Sequence, residues 1–293
     1  MKTDRVKEWL KALIDILRLR NGLMSFFGVL IAAEIALYGG QLMLPIRAII
    51  AGISAAMITS AGNIINDYFD VEIDKINKPN RPIPSGRISR SDALMLSFAL
   101  FMIGLGLAKY VNVYCLALAG VNSVLLIIYG RYSKKMLILS NLIVSYLVAS
   151  IFIFGALSVV NIGDLGSMGL RLVALLSSCA FLITFSREII KDVEDIEGDK
   201  KNYCSTLPIC IGPDNAKNLA RLFIAFAIIL SLVPFVTQPV EFDLLSYALP
   251  IIAADLIFII SLTMNPTISQ RIMVFAMFLA LVGFSLGAII PKV

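Results

Sequence analysis

Two sets of polar residues in this chain share one spacing. Asn63, Asp67, Asp70 and Asp74 are separated by 4, 3 and 4 positions, and Glu188, Asp192, Asp195 and Asp199 repeat those separations. At roughly 100° per residue, such offsets fall within an arc of about 60°, so each set lines one face of a helix that continues through it. A single acidic residue at a membrane edge is ordinarily just solvated. A repeated face is different, because carboxylates about 5 Å apart repel by about 3 kcal/mol per pair at an effective dielectric near 20. Cations are therefore expected among them. The chain has no histidine, and Cys115, Cys179, Cys204 and Cys210 form no CxxC pair, so zinc, a disulfide framework and imidazole chemistry are all set aside. Oxygen ligands alone point to a hard cation. The spacing is not that of an EF-hand, whereas Mg²⁺ takes only one or two protein carboxylates and completes its octahedron with water and substrate phosphates. Lys75, Lys78, Arg81, Arg87, Lys134 and Lys191 lie among or near the acids, which suits an anionic third component. Magnesium diphosphate is the expected occupant.

Both acidic sets directly follow long apolar runs, and the whole chain is built of such runs. Its 293 residues are 59% hydrophobic and only 15% charged, with a mean hydropathy of +0.89, a balance that a water-soluble domain of this size does not keep. Crossing the hydrocarbon core takes about 20 apolar residues in a helix. Nine segments qualify: 22–38, 45–66, 92–108, 111–130, 137–160, 168–190, 217–236, 244–263 and 270–290. Strands of a membrane barrel would alternate polar and apolar residues, which these runs do not. The expected fold is all-α, a single polytopic domain over 1–293 with about nine membrane helices around a central cavity. Residues 67–91 and 187–216 are expected to form Asp-rich loops. The two acidic faces follow even-numbered spans, emerge on one side and are expected to meet across the cavity.

Basic residues set the orientation. Nine spans place 21 of the 25 Lys and Arg residues on one side, leaving Arg47, Lys109, Arg171 and Lys292 on the other. That side, with the N-terminus and the Asp-rich loops, is expected to be cytoplasmic. The start of the chain is charged and amphipathic rather than a cleavable leader, so residues 1–20 are expected to form a surface helix with Trp9 at the headgroup level. The net charge of +5 is mostly this topology signal. No basic stripe interleaved with stacking aromatics accompanies it, so nucleic acid is not an expected partner.

The wording of the two acidic sets resembles a known family. "NDYFDVEID" followed by "KPNRPIPSG" is similar to the first Asp-rich motif, NDxxDxxxD, of the UbiA superfamily of intramembrane prenyltransferases, and "KDVEDIEGD" to its second, DxxDxxGD. The resemblance covers essentially the whole chain. It implies a Mg²⁺-dependent transferase for an isoprenoid diphosphate donor, with Asn63, Asp67, Asp70, Asp192 and Asp195 as metal ligands and Asn66, Asp74, Glu188 and Asp199 close by. "YGRYSKK" resembles the family's Tyr and Lys segment, so Lys134 would contact the diphosphate and Tyr129 or Tyr132 would face the allylic cation. Arg81 and Lys191 are assigned to the diphosphate. "RLRN" resembles the entry to the first helix, which places Arg18 and Asn21 near the acceptor, although Leu19 stands where the family usually has Pro.

Within the family, the wording around the first motif is most similar to the archaeal branch that acts on a prenylated glycerol phosphate. This implies transfer of a geranylgeranyl group to a lipid phosphate acceptor, with Arg18, Arg20, Lys135 and Lys201 as surplus cations for its phosphate. The hydroxyl proton would pass to Asp74, to Glu188 or to the departing diphosphate. An aromatic acceptor such as hydroxybenzoate is the alternative. A cation-coupled transporter would also carry paired acidic clusters, but such sites sit near the bilayer midplane and not at helix ends. No pattern in the sequence speaks to oligomeric state.

Overall fold

The structure is a computed structural model of the full chain and describes residues 2–37, 45–132, 137–160, 166–201, 206–240 and 242–290. These residues form fourteen helices: α1 Lys2–Leu17, α2 Leu19–Ala36, α3 Ile46–Phe69, α4 Val71–Asn77, α5 Arg90–Val111, α6 Val113–Tyr132, α7 Leu139–Val159, α8 Met168–Glu194, α9 Ile196–Lys201, α10 Leu207–Ile211, α11 Pro213–Ser231, α12 Val233–Thr237, α13 Leu244–Ser261 and α14 Pro266–Ile289. Among the described residues nine stretches are long and apolar enough to cross a membrane: α2, α3, α5, α6, α7, α8, α11 with α12, α13 and α14. The nine segments expected from the sequence are these, and the chain is a multi-pass membrane protein.

The helix starts follow local chemistry. Ser89, Ser167, Asp243 and Asn265 cap α5, α8, α13 and α14, each accepting from the backbone N–H three residues on. These caps satisfy donors that the first helical turn leaves without partners. Pro213 opens α11 after Gly212, whose φ of 86° is glycine territory.

Contacts divide the chain into two compact units: residues 1–30 with 45–133, and residues 31–44 with 134–293. In the first unit α3 packs on α5 and α6 through small residues, as apolar helices in lipid require for close approach. A Cβ on Gly104 would lie 2.6 Å from Ile58, and one on Gly62 would lie 2.6 Å from Leu126. Two hydroxyls tie α3 to α5: Ser54 donates to the Gly104 carbonyl at 2.7 Å and Ser97 to the Ala61 carbonyl at 2.9 Å. At the start of α2, Gly22 lies against Ser60 of α3, and Ser25 and Thr59 share a hydrogen bond.

The second unit is held by α7, α8, α11, α13 and α14. One core cluster gathers Phe242, Tyr247 and Phe284 around Leu172 and Leu176, with the Tyr247 ring edge-on to both phenylalanines at 5.1 Å. Geometry of this kind adds about 0.5–1.5 kcal/mol per pair beyond burial. The Tyr247 hydroxyl donates to the Ser231 carbonyl at 2.8 Å, and the Ser231 hydroxyl to Asp255 at 2.7 Å. Asp255, a carboxylate inside a span, thereby joins α13 to α11.

The stretches expected as Asp-rich loops are more ordered than that. α3 runs on to Phe69 and is followed at once by α4, while α8 runs on to Glu194 and is followed by α9. Chain that the sequence left as loop is therefore partly helical. The apolar period stops at the membrane edge, but backbone hydrogen bonding does not.

Candidate active site

In the first unit, Asn63, Asn66 and Asp67 occupy the last turns of α3, Asp70 the junction, and Asp74 the middle of α4. Asp70 has φ −84° and ψ 3°, outside the helical well but close to it. Its N–H donates to the Asn66 carbonyl at 2.9 Å, and the Asp74 N–H donates to the Asp70 carbonyl at 2.8 Å. The ladder thus crosses the junction and the spaced residues keep nearly one face. The second unit repeats this. Asp195 has φ −86° and ψ 2° between α8 and α9, its N–H donates to the Lys191 carbonyl at 3.0 Å, and the Asp199 N–H donates to the Asp195 carbonyl at 2.9 Å. The third residue of each set marks the same backbone break.

Side-chain partners differ between the sets. The Asp67 side chain is 3% exposed, and its Oδ1 accepts from Arg18 Nη2 at 2.5 Å and Arg81 Nη1 at 2.9 Å. Arg81 Nη1 also donates to Asp74 Oδ2 at 2.5 Å, so one guanidinium joins two acids of the ridge. Arg18 reaches Asp67 from the break between α1 and α2, where its φ is 47°. Left-handed backbone of this kind is uncommon for a residue other than glycine. In the second unit, Asp192 Oδ2 accepts from the neutral amide of Asn141 in α7 at 2.8 Å. Glu188 is buried and pairs with Arg187 at 2.7 Å and Lys191 at 3.3 Å. Asp195 is exposed, and Asp199 half-buried.

The donor set fits Mg²⁺. Asp67 and Asp192 are each anchored through one carboxylate oxygen, while Asp67 Oδ2 and Asp192 Oδ1 take no hydrogen bond from the described residues. On the first ridge the Asn66 Oδ1 atom is buried with no hydrogen-bond partner among the described residues, as is Asn63 Nδ2. A buried amide oxygen without a donor is costly unless something positive meets it. Among the described residues no three Asp, Glu, Cys or His side chains close into a ready-made cage, so an ion held here would need further ligands from water and substrate phosphates.

The other sequence-derived candidates are placed as follows. Asn21 is half-buried in the first turn of α2, with its N–H donating to the Arg18 carbonyl at 2.8 Å. Tyr129 is half-buried near the end of α6. Its neighbour Gly130 lets α6 approach the first ridge, since a Cβ there would lie 3.4 Å from Asn66 Cα. Tyr132 is 44% exposed and carries the Arg131 guanidinium over its ring at 5.5 Å. Lys134 and Lys135 lie outside the described residues. Sequence reasoning missed Asn141, whose one available signal was a polar amide at the start of an apolar run. It also counted Arg187 only as a topology charge, and gave Asp15, which pairs with Arg87 at 2.7 Å, no role.

The sequence profile of the UbiA prenyltransferase family matches residues 25–288. The chain belongs to this family. Relatives named digeranylgeranylglyceryl phosphate synthase include one from Methanococcus maripaludis, 39% identical over 88% of this chain and 89% of that protein. Another, from Methanopyrus kandleri, is 37% identical over 94% of this chain and 98% of that protein. A solved structure of a digeranylgeranylglyceryl phosphate synthase superposes with a TM-score of 0.81 at 31% identity, covering 96% of this prenyltransferase and 99% of that chain. The fold is also that of a UbiA homologue from Archaeoglobus fulgidus bound to dimethylallyl diphosphate and Mg²⁺, with a TM-score of 0.66 at 19% identity, covering 94% of this chain and 99% of that one.

Proposed function

We propose that this prenyltransferase is a digeranylgeranylglyceryl phosphate synthase, moving a geranylgeranyl group from its diphosphate to the free hydroxyl of geranylgeranylglyceryl phosphate. The observation that carries the reading is the pair of carboxylate ridges with one spacing, one backbone break and one open oxygen on each core aspartate, in a chain whose relatives of that name align over nearly their whole length. The N-terminus and both ridges are assigned to the cytoplasmic side, on the strength of the basic-residue bias.

Asn63, Asp67 and Asp70 on the first ridge and Asp192 and Asp195 on the second are the proposed Mg²⁺ ligands. Bound Mg²⁺ would neutralise charge that builds on the diphosphate as its bond to the allylic carbon breaks. The protein's own part is orientation and charge. Arg18, Arg81 and Asn141 fix the rotamers of the core aspartates, so the ligand oxygens need not reorganise during reaction. Arg81 and Lys191 supply cationic donors beside the leaving group, and Lys134 is assigned the same task from its motif. The half-buried Tyr129 is assigned from its motif as the aromatic face offered to the carbocation-like centre.

For the hydroxyl proton, Asp74 is tied to Arg81 and Glu188 to Arg187 and Lys191. Both carboxylates are thereby occupied by cationic partners, a condition that makes a poor base. The departing diphosphate, formed beside the acceptor, is the better acceptor for that proton. The deciding experiment incubates purified protein and Mg²⁺ with geranylgeranyl diphosphate and either geranylgeranylglyceryl phosphate or hydroxybenzoate. Product from the lipid phosphate is the expected result. Turnover of the aromatic acceptor alone would overturn the assignment.

A further inference from the structure

In the first unit a cleft of about 420 Å³ opens beside Asp67 at the membrane-edge ends of α1 and α3. Four cationic side chains, Arg18, Lys78, Arg81 and Arg87, line it together with two carboxylates, Asp15 and Asp67. The arginines are spoken for in part. Arg18 and Arg81 contact Asp67, and Arg87 spans Asp15 at 2.7 Å and the Asn80 carbonyl at 2.6 Å. Lys78 has no ion pair or hydrogen bond through its ammonium among the described residues. Desolvation in the cleft, and then the neighbouring Arg81, hold that ammonium below the usual lysine range against the opposing pull of Asp74 and Asp67.

We propose that this cleft seats the phosphate of the acceptor lipid, and that Lys78 and Arg87 are the residues that tell a phosphorylated acceptor from an uncharged one. The inference rests on the synthase reading above. The cleft lining carries two more cations than carboxylates, one more when Asp74, tied to Arg81, is counted, and this positive excess suits a phosphate monoester, whose charge is about −1.5 to −2 at neutral pH. A diphosphate donor, by contrast, is met through metal at the open oxygens of the ridge aspartates. Asp67 borders both places, so a headgroup in the cleft lies next to the leaving group, as transfer demands. The volume falls in the range of small-molecule sites and exceeds the needs of a bare phosphate. An apolar track begins at the same spot: Leu19, Leu23 and Phe27, spaced i, i+4, i+8 on α2 from the residue after Arg18, are exposed along one stripe. An amphiphile with an anionic head and a prenyl tail matches this pairing of surfaces; a soluble phosphate uses only half of it.

The test is made on the full-length protein in lipid nanodiscs. Binding of geranylgeranylglyceryl phosphate is measured in EDTA, without donor, for wild type and for Lys78→Gln, Arg87→Gln and Lys78→Arg. Loss of one charged hydrogen-bond partner should weaken binding by about tenfold in Lys78→Gln and Arg87→Gln, and Lys78→Arg should restore it. Geranylgeranylglycerol, which lacks the phosphate, should bind these variants and the wild type alike. Glycerol phosphate, which lacks the tail, should bind more weakly than the lipid and show the same loss. In turnover assays the acceptor KM should rise by the same factor, with the KM for geranylgeranyl diphosphate unchanged. Since the Lys78 side chain is exposed and its ammonium makes no ion pair or hydrogen bond among the described residues, its variant should keep the fold and the result stays readable. A parallel rise in the donor KM, or acceptor binding that Lys78→Gln does not move, would overturn the proposal. If the wild type binds the phosphorylated lipid through Lys78 but transfers no prenyl group to it, the cleft assignment stands and the synthase reading falls.

Discussion

In the first unit Asp67 receives two guanidinium groups, whereas in the second Asp192 receives one neutral amide, although both carboxylates hold the second place in the same 4, 3, 4 spacing. The backbone beneath them is alike to within a few degrees at the break. Equal geometry with unequal partners means unequal electrostatics. An arginine orients a carboxylate but also competes with a divalent ion for it, and it can turn to an arriving phosphate. An amide orients without competing. On the proposed metal role, the first ridge would suit a place where metal and anions are exchanged, and the second a steadier metal platform.

The bluntest way to break this comparison is to remove the carboxylates themselves. Asp67→Ala and Asp195→Ala should each lower kcat by about 100-fold or more while membrane insertion is kept, because a metal ligand and its charge stabilisation are lost together. Retention of activity in both would deny either ridge a metal role. Asp67→Asn and Asp192→Asn sharpen the contrast. The first leaves Arg18 and Arg81 facing a neutral group in a largely buried setting and should cost about 1–3 kcal/mol of stability, whereas the second keeps a hydrogen bond with Asn141 and should cost about 0.5 kcal/mol or less. Thermal unfolding of the two variants in one detergent compares them directly, and equal melting temperatures would erase the distinction.

A subtler effect is expected at Asn141→Ala. Groups that orient a metal ligand are worth about 10- to 100-fold in metal affinity, so the Mg²⁺ concentration for half-maximal rate should rise by at least about tenfold, with kcat at saturating Mg²⁺ nearly kept. An unchanged Mg²⁺ titration would show that the amide only packs. The smallest change belongs to Lys75→Ala. Lys75 pairs with Glu72 at 3.0 Å with both side chains exposed, and such pairs contribute about 0–1 kcal/mol. Activity and melting temperature should stay at wild-type values.

Much of this arrangement was legible in the sequence, because its signals are local. Apolar run length gave the nine spans, and the offsets of the acids gave both ridges before any coordinates. The partners were harder to read. Arg18 lies 49 positions from Asp67, and Asn141 51 positions from Asp192, so nothing short-range in the chain announces either pairing; Arg18 was placed near the acceptor by resemblance alone, and Asn141 was not noticed. α4 and α9 escaped for another reason. Helices of seven and six residues with one wet side carry too little apolar period to be recognised, and they exist as continuations of longer neighbours. Arg81 and Arg87, read in the sequence both as topology charges and as partners for an anion, line one cleft with Arg18 and Lys78.

Arg18 sits where glycine would be the easier residue. Its φ of 47° costs an L-amino acid about 1–2 kcal/mol, and Gly at that position would relieve the backbone while removing the side chain that meets Asp67. A glycine variant should therefore ease the backbone, lose an ion pair to the buried Asp67 carboxylate, and catalyse worse. At this corner, comfort of the main chain and competence of the enzyme pull in opposite directions, and the sequence has settled for the second.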